Sequence, residues 1–158
     1  MQARFVADLF RKLKEQNIHT ALDTSGCILN DDARELLDVT DLVLLDHKYP
    51  SEEQYFANTR GHLADAEAFL AELGRRSLPT WLRRVIIPGL TDDEDSVRAL
   101  NSTARRFPCV EKIELLPFRN FCSEKYTALG IPFPLADAVP PTKESVDELA
   151  ALLDEKYR

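Results

Sequence analysis

Asp41-Leu42-Val43-Leu44-Leu45-Asp46-His47-Lys48 decides the fold. Four apolar residues run without a break and then close on a carboxylate and a cation. A run with no alternation predicts a strand buried on both faces, as in a parallel sheet. The same signature recurs three times. Ile18-His19-Thr20-Ala21-Leu22-Asp23-Thr24-Ser25-Gly26 ends on Asp23 and a turn. Trp81 to Ile87 carries Arg83 within it and stops at Pro88-Gly89. Glu111-Lys112-Ile113-Glu114-Leu115-Leu116-Pro117-Phe118-Arg119 ends on a cation. Side chains at the carboxyl ends of parallel strands converge on one rim, where such folds bind ligands.

Helical spacing fills the intervals. Val6, Leu9, Phe10 and Leu13 mark an opening helix, and Asp31 or Asp32 can cap a short one bearing Leu36 and Leu37. Tyr49 to Arg60 reads as a polar connection, followed by a helix over about Leu63 to Arg75. Thr91-Asp92-Asp93-Glu94 reads as a capping box ahead of Val97, Leu100 and Ala104. A proline-rich segment follows the fourth strand, and Thr142 caps a last helix with Val146 and Leu149. Strict alternation of helix and strand predicts an α/β protein with a parallel sheet. Residues 1–158 read as a single domain with no linker or repeat. The first helix has no strand before it, and four strands cannot close a barrel, so the chain reads as the back part of a larger one.

Net charge is −7, which argues against a nucleic-acid or anionic-membrane surface. No apolar run approaches the ~20 residues of a membrane span. Hydrophobic residues make up 44% of the chain, enough for a packed core. Cys27, Cys109 and Cys122 lie 82 and 13 residues apart, which gives neither a compact metal triad nor a disulfide framework. Sparse thiols fit a reducing, cytoplasmic setting. His19, His47 and His62 share no ligand spacing. Nucleophile motifs and Gly-rich phosphate loops are also missing, so no catalytic residue is assigned.

What remains is a set of charges for a polar ligand. Asp46 and Lys48 stand two apart beyond a strand and project to one side if the extended geometry continues. They form either a rim ion pair or a carboxylate-binding site. Arg83 sits inside an apolar strand and needs a partner. It forms either a salt bridge to Asp46 or Glu114, or a ligand contact. Arg84 faces helices or solvent, and Trp81 is expected to pack in the core or against a helix. The 120–131 segment, with Phe121, Tyr126 and Leu129, covers the open end of the sheet or helps dock a partner.

Taken in order, the blocks Ile18–Gly26, Asp41–Lys48, Trp81–Asp93 and Val110–Phe118 resemble the pyruvate formate-lyase-activating enzymes. The resemblance implies a radical S-adenosylmethionine enzyme on a partial, six-stranded (β/α) barrel, of which this chain carries about four parallel strands of the C-terminal part. It implies a [4Fe-4S] cluster that cleaves S-adenosylmethionine, and hydrogen abstraction from a glycine of a glycyl radical enzyme, pyruvate formate-lyase by default. An electron donor such as flavodoxin would serve it. The family's CxxxCxxC loop and Gly-Gly-Glu stretch are absent from these residues, so the resemblance implies that the chain alone holds no cluster and is inactive. It assigns Asp23, Asp46, Lys48, Arg83 and Arg119 to the cofactor, with Arg119 standing where the family often has a His against the adenine. It assigns Asp23, Thr24, the Leu44 carbonyl and Asp46 to a monovalent cation. The alternative is a non-catalytic barrel fragment that binds a partner protein or a nucleotide.

Overall fold

The computed structural model describes residues 2–158. Helix α1 (Ala3–Glu15) is followed by β1 (Ala21–Thr24), α2 (Asp31–Leu37), β2 (Leu42–Asp46), α3 (Glu52–Thr59) and α4 (Leu63–Arg75). Then come β3 (Thr80–Ile86), α5 (Glu94–Arg106), β4 (Val110–Pro117), α6 (Ser123–Ala128), α7 (Lys143–Ala150) and a 3-10 turn at Glu155–Tyr157. The strands pair in chain order, β1-β2-β3-β4, and every pair is parallel. Neighbours that follow chain order without reversal are the wall of a (β/α) barrel. A doubly wound sheet would reverse at a switch point.

Alternation along each strand sorts the residues onto two faces. Leu22, Val43, Leu45, Leu82, Ile86 and Ile113 are buried. Against them pack Phe10 of α1, Leu36 and Leu37 of α2, Phe69, Leu70 and Leu73 of α4, and Val97, Leu100 and Ala104 of α5. Each large side chain buried this way stabilises the fold by roughly 1.5–3 kcal/mol. The opposite face carries Leu44, Asp46, Trp81, Arg83, Lys112 and Glu114, all only half-buried. The expectation that β2 is covered on both faces is therefore corrected. Its burial alternates, with Val43 and Leu45 inside and Leu42, Leu44 and Asp46 on the open side. The open side corresponds to the inside of a barrel wall.

Local signals explain most element ends and correct several expectations. Asn30, not Asp31 or Asp32, caps α2, its side chain accepting from the Ala33 amide at 2.9 Å. Asp93, not Thr91, caps α5 and accepts from the Ser96 amide at 2.7 Å. Thr91 is instead fully buried, and its hydroxyl accepts from the Ile87 amide and donates to the Val85 carbonyl, closing the turn after β3. The polar connection after β2 contains α3, begun by Ser51. The segment after β4 contains α6. Trp81 does not pack against helices: it shares the open face with Arg83, and the Lys112 ammonium lies 4.2 Å from its ring centroid. Gly26 turns the chain out of β1 at φ +66°, and a Cβ there would meet Leu45 Cδ1 at 2.8 Å and Phe69 Cβ at 3.1 Å. Only glycine fits both conditions.

Candidate functional site

The sheet register builds the site. Asp23 of β1 stands opposite Leu44 of β2, which stands opposite Trp81 of β3 and then Lys112 of β4. One pleat nearer the carboxyl ends, Asp46, Arg83 and Glu114 form a second row. Lys48 continues the open face beyond β2. Three carboxylates and three cations are thus held on one surface by strand alternation alone.

These charges pair closely. The Asp46 carboxylate accepts from Arg83 Nε at 3.0 Å and Arg83 Nη2 at 2.8 Å through Oδ1, and from Lys48 Nζ at 2.7 Å through Oδ2. Arg83 Nη2 also donates to Asp23 Oδ1 at 2.6 Å. Glu114 is not a partner of Arg83 and pairs with Lys112 at 2.7 Å. Arg83 and Asp46 are only 14% and 20% exposed, whereas Asp23 is 61% exposed. Burial pushes the Arg83 pKa down, but the carboxylates of Asp23 and Asp46 outweigh it and raise the value overall. The guanidinium therefore stays charged. It places a positive charge between Asp23 and Asp46. Thr24 Oγ1 accepts from the Gly26 amide at 3.2 Å, and Leu44 lies between Asp23 and Trp81 on the open face.

Asp23, Asp46, Lys48 and Arg83 are thus brought together from three strands. Arg119 is not brought to them. It is exposed beyond β4 and lines a cleft of about 290 Å³ with Leu115, Pro117 and residues of α7. No hydrogen bond or ion pair among the described residues joins it to the other four. Cys27 is exposed, Cys109 is buried under α4 and Cys122 is half-buried at the start of α6. Among the described residues no three His, Cys, Asp or Glu side chains come together to hold a metal ion. The residues present do not fit an iron-sulfur cluster.

Two functional-looking residues were missed by sequence reasoning. Arg84, expected to face helices or solvent, does face a helix: it is 1% exposed and bonds to Ser96 of α5. His47 is also 1% exposed and bonds to it. Both lie next to residues that the strand pattern singled out. The alternation that puts Asp46 and Arg83 on the open face sends His47 and Arg84 to the other.

A parallel strand wall paired in chain order defines the class: part of a (β/α) barrel. Comparison with known proteins narrows it. No family model matches the chain. The chain is 38% identical over 159 residues to pyruvate formate-lyase 1-activating enzyme of Escherichia coli K12, covering 98% of this chain and 64% of that protein. It is 35% identical to pyruvate formate-lyase-activating enzyme of Clostridium pasteurianum, over 98% of this chain and 65% of that protein. By sequence the chain is a relative of the pyruvate formate-lyase-activating enzymes, and it spans just under two thirds of their length. A crystal structure of a domain of pyruvate-formate lyase-activating enzyme from Bacteroides vulgatus superposes with a TM-score of 0.74 at 18% identity, over 96% of this chain and 84% of that one. Streptococcus suis SuiB bound to S-adenosylmethionine superposes at 0.68 with 12% identity, over 92% of this chain and 32% of that one. These two structures share the fold.

Proposed function

We propose that the chain forms the carboxyl-terminal part of a glycyl-radical-enzyme activase and supplies one side of its S-adenosylmethionine site. The observation that carries this reading is the convergence of Asp23, Asp46, Lys48 and Arg83 on one open rim. The sequence similarity to pyruvate formate-lyase-activating enzymes over nearly the whole chain supports it. In this reading Lys48 receives the ligand carboxylate through a charge-assisted hydrogen bond. Asp23 and Asp46 offer acceptors to its ammonium and hydroxyl groups, and Arg83 holds both carboxylates in place. Arg119 would stack its planar guanidinium on the adenine only after moving from the α7 cleft toward the rim. A monovalent cation on Asp23, Thr24, the Leu44 carbonyl and Asp46 requires Arg83 to withdraw, because the guanidinium already lies between the two carboxylates.

The proposed reaction is S-adenosylmethionine-dependent hydrogen abstraction from a protein glycine, with pyruvate formate-lyase as substrate protein and flavodoxin as electron donor in the cytoplasm. A [4Fe-4S] cluster would supply the reductive cleavage, and its ligands would come from outside these 158 residues. The cysteine geometry supports the corollary that the chain alone is inactive. It also favours the second reading, a binding module without chemistry, for the isolated chain. The test is electron paramagnetic resonance of the glycyl radical. A form extended to the length of the curated relatives is reduced anaerobically with S-adenosylmethionine and pyruvate formate-lyase, beside the 158-residue chain. Signal from the extended form alone is expected. Signal from the short chain, or none from a cluster-loaded extended form, would overturn the proposal.

A further inference from the structure

Arg84 is a guanidinium buried without a carboxylate. On the covered face its Nε donates to the His47 carbonyl at 3.0 Å, and Nη1 donates to the Ser96 carbonyl at 2.7 Å and the Ser96 hydroxyl at 3.0 Å. Nη2 donates to His47 Nδ1 at 2.5 Å. Among the described residues no acid forms an ion pair with it. A charge solvated only by neutral dipoles is expensive to bury. Burial pushes its pKa down to about 9, and Tyr55 and Asp93, the α5 cap, oppose that only through space. The acidic run from Asp92 to Asp95 meets the positive end of α5.

The arrangement has a counterpart on the other face. Asp46 and Arg83 are the last register pair of β2 and β3, and the His47 amide donates to the Arg83 carbonyl at 2.9 Å. The next two side chains, His47 and Arg84, then meet on the covered face. Two adjacent arginines of β3 thus grip the last residue of β2, Asp46, and the residue after it, His47, from opposite sides. Arg84 Nε reaches the His47 carbonyl one residue past that pair, where the peptide leads directly to Lys48. Fixing that carbonyl keeps the backbone extended, and an extended backbone keeps Lys48 on the same side as Asp46. The accepted bond also fixes the imidazole as its neutral Nε2–H tautomer, and Nε2 has no hydrogen-bond partner. Burial and the Arg84 charge hold the imidazole pKa down at about 3, so it stays neutral.

We propose that Arg84 is a positioning residue, which fixes the His47 peptide from the covered face and thereby holds the Lys48 ammonium against Asp46 on the open rim. The purpose of Lys48 rests on the functional reading above, but the placement does not. The test is made on the 158-residue chain without cofactor. Lysine acetylation by an amine-reactive ester is followed by mass spectrometry, with Lys112 as internal reference, and stability is followed by denaturation. The proteins are wild type, Arg84→Met, and the double variant His47→Leu with Arg84→Met. Arg84→Met should lower the unfolding midpoint, because it leaves buried acceptors unpaired. The double variant should recover only the part owed to the unpaired imidazole, since the His47 carbonyl and the Ser96 oxygens still lack their donor. In both variants Lys48 should label about two- to fivefold faster relative to Lys112, the range for releasing a partly exposed ion pair. Wild-type labelling of Lys48 in a folded variant would make Arg84 a packing residue only and sink the proposal. If Arg84→Met fails to fold, the double variant alone decides. Failure to bind S-adenosylmethionine would count against the functional reading and leave the labelling result standing.

Discussion

Asp46→Asn isolates the rim's central charge at nearly constant shape. Asp46 accepts two bonds from Arg83 and one from Lys48. A hydrogen bond to a charged group contributes about 1.5–3 kcal/mol when well withdrawn from water, and an exposed pair about 0.2–1 kcal/mol. The Arg83 pair belongs near the first range, with both side chains at or below 20% exposure, and the Lys48 pair belongs nearer the second. Asn keeps a carbonyl acceptor, and Arg83 keeps Asp23 at 2.6 Å, so part of the interaction survives. The expected loss is about 2 kcal/mol, or roughly 4–8 °C in midpoint for a chain of this size. The assay is urea denaturation of wild type, Asp46→Asn, Arg83→Met and the double variant. A coupling energy of about 0.5–3 kcal/mol between the two sites is expected. Effects under about 0.5 kcal/mol that simply add would refute the reasoning, because the rim charges would then be solvated independently.

Gly26→Ala should destabilise by about 2–4 kcal/mol, from left-handed strain together with the clash against Leu45 and Phe69, and equilibrium denaturation would read it. The depressed His47 pKa implies that the unfolded chain binds a proton that the folded one refuses between pH 6.5 and about 3. Its contribution is therefore complete above pH 6.5 and is lost as pH falls toward 3, at up to about 1.4 kcal/mol per pH unit. His62, raised by Glu52, acts in the opposite direction, so the comparison of wild type with His47→Gln isolates the effect. The variant's stability should fall less steeply between pH 6.5 and 4.5, and parallel curves would contradict the assignment. Anaerobic reconstitution of the 158-residue chain with iron and sulfide should give no stoichiometric [4Fe-4S] spectrum. A cluster lost on mutating Cys27, Cys109 and Cys122 would show otherwise.

Strand existence and order were legible in the sequence because each apolar run closes on a charge and each is punctuated by Gly, Pro or Asn. Strand ends pointed to Asp23, Asp46 and Lys48, Arg83 was read as a charge inside a strand, and the resemblance joined the four in one site. Which face each residue takes did not. The unbroken run at Leu42–Leu45 satisfies two-sided burial as well as one covered and one half-open face, and only the register separates them. The same ambiguity hid Arg84. The sequence left it facing helices or solvent, and the alternation with Leu82 and Ile86 decides for the helix-covered face, where the carbonyls of His47 and Ser96 solvate it. Trp81 went astray for the converse reason, an apolar residue on the charged face beneath an ammonium. Helices α3 and α6 were missed because they are short and polar, with caps at Ser51 and near Cys122 that stand inside loop-like composition. Arg119 shows the limit of chain position. Following a strand does not make a residue face the rim, and it lies in the cleft against α7.

Lys48 and Lys112 make the sharpest comparison for the cofactor site. Their side chains are 35% and 37% exposed, and each holds a carboxylate two residues away at 2.7 Å. They differ in place. Lys48 stands beyond the carboxyl end of β2, and Lys112 lies two residues before Glu114 along β4, stacked on Trp81. Calorimetric titration of S-adenosylmethionine into the form extended to the relatives' length, carrying either Lys48→Ala or Lys112→Ala, measures that difference directly. The account predicts that Lys48→Ala weakens binding about ten- to hundredfold, the cost of roughly 1.5–3 kcal/mol, and that Lys112→Ala changes it by less than about threefold. Equal affinities for the two variants would contradict the placement of the ligand on this rim.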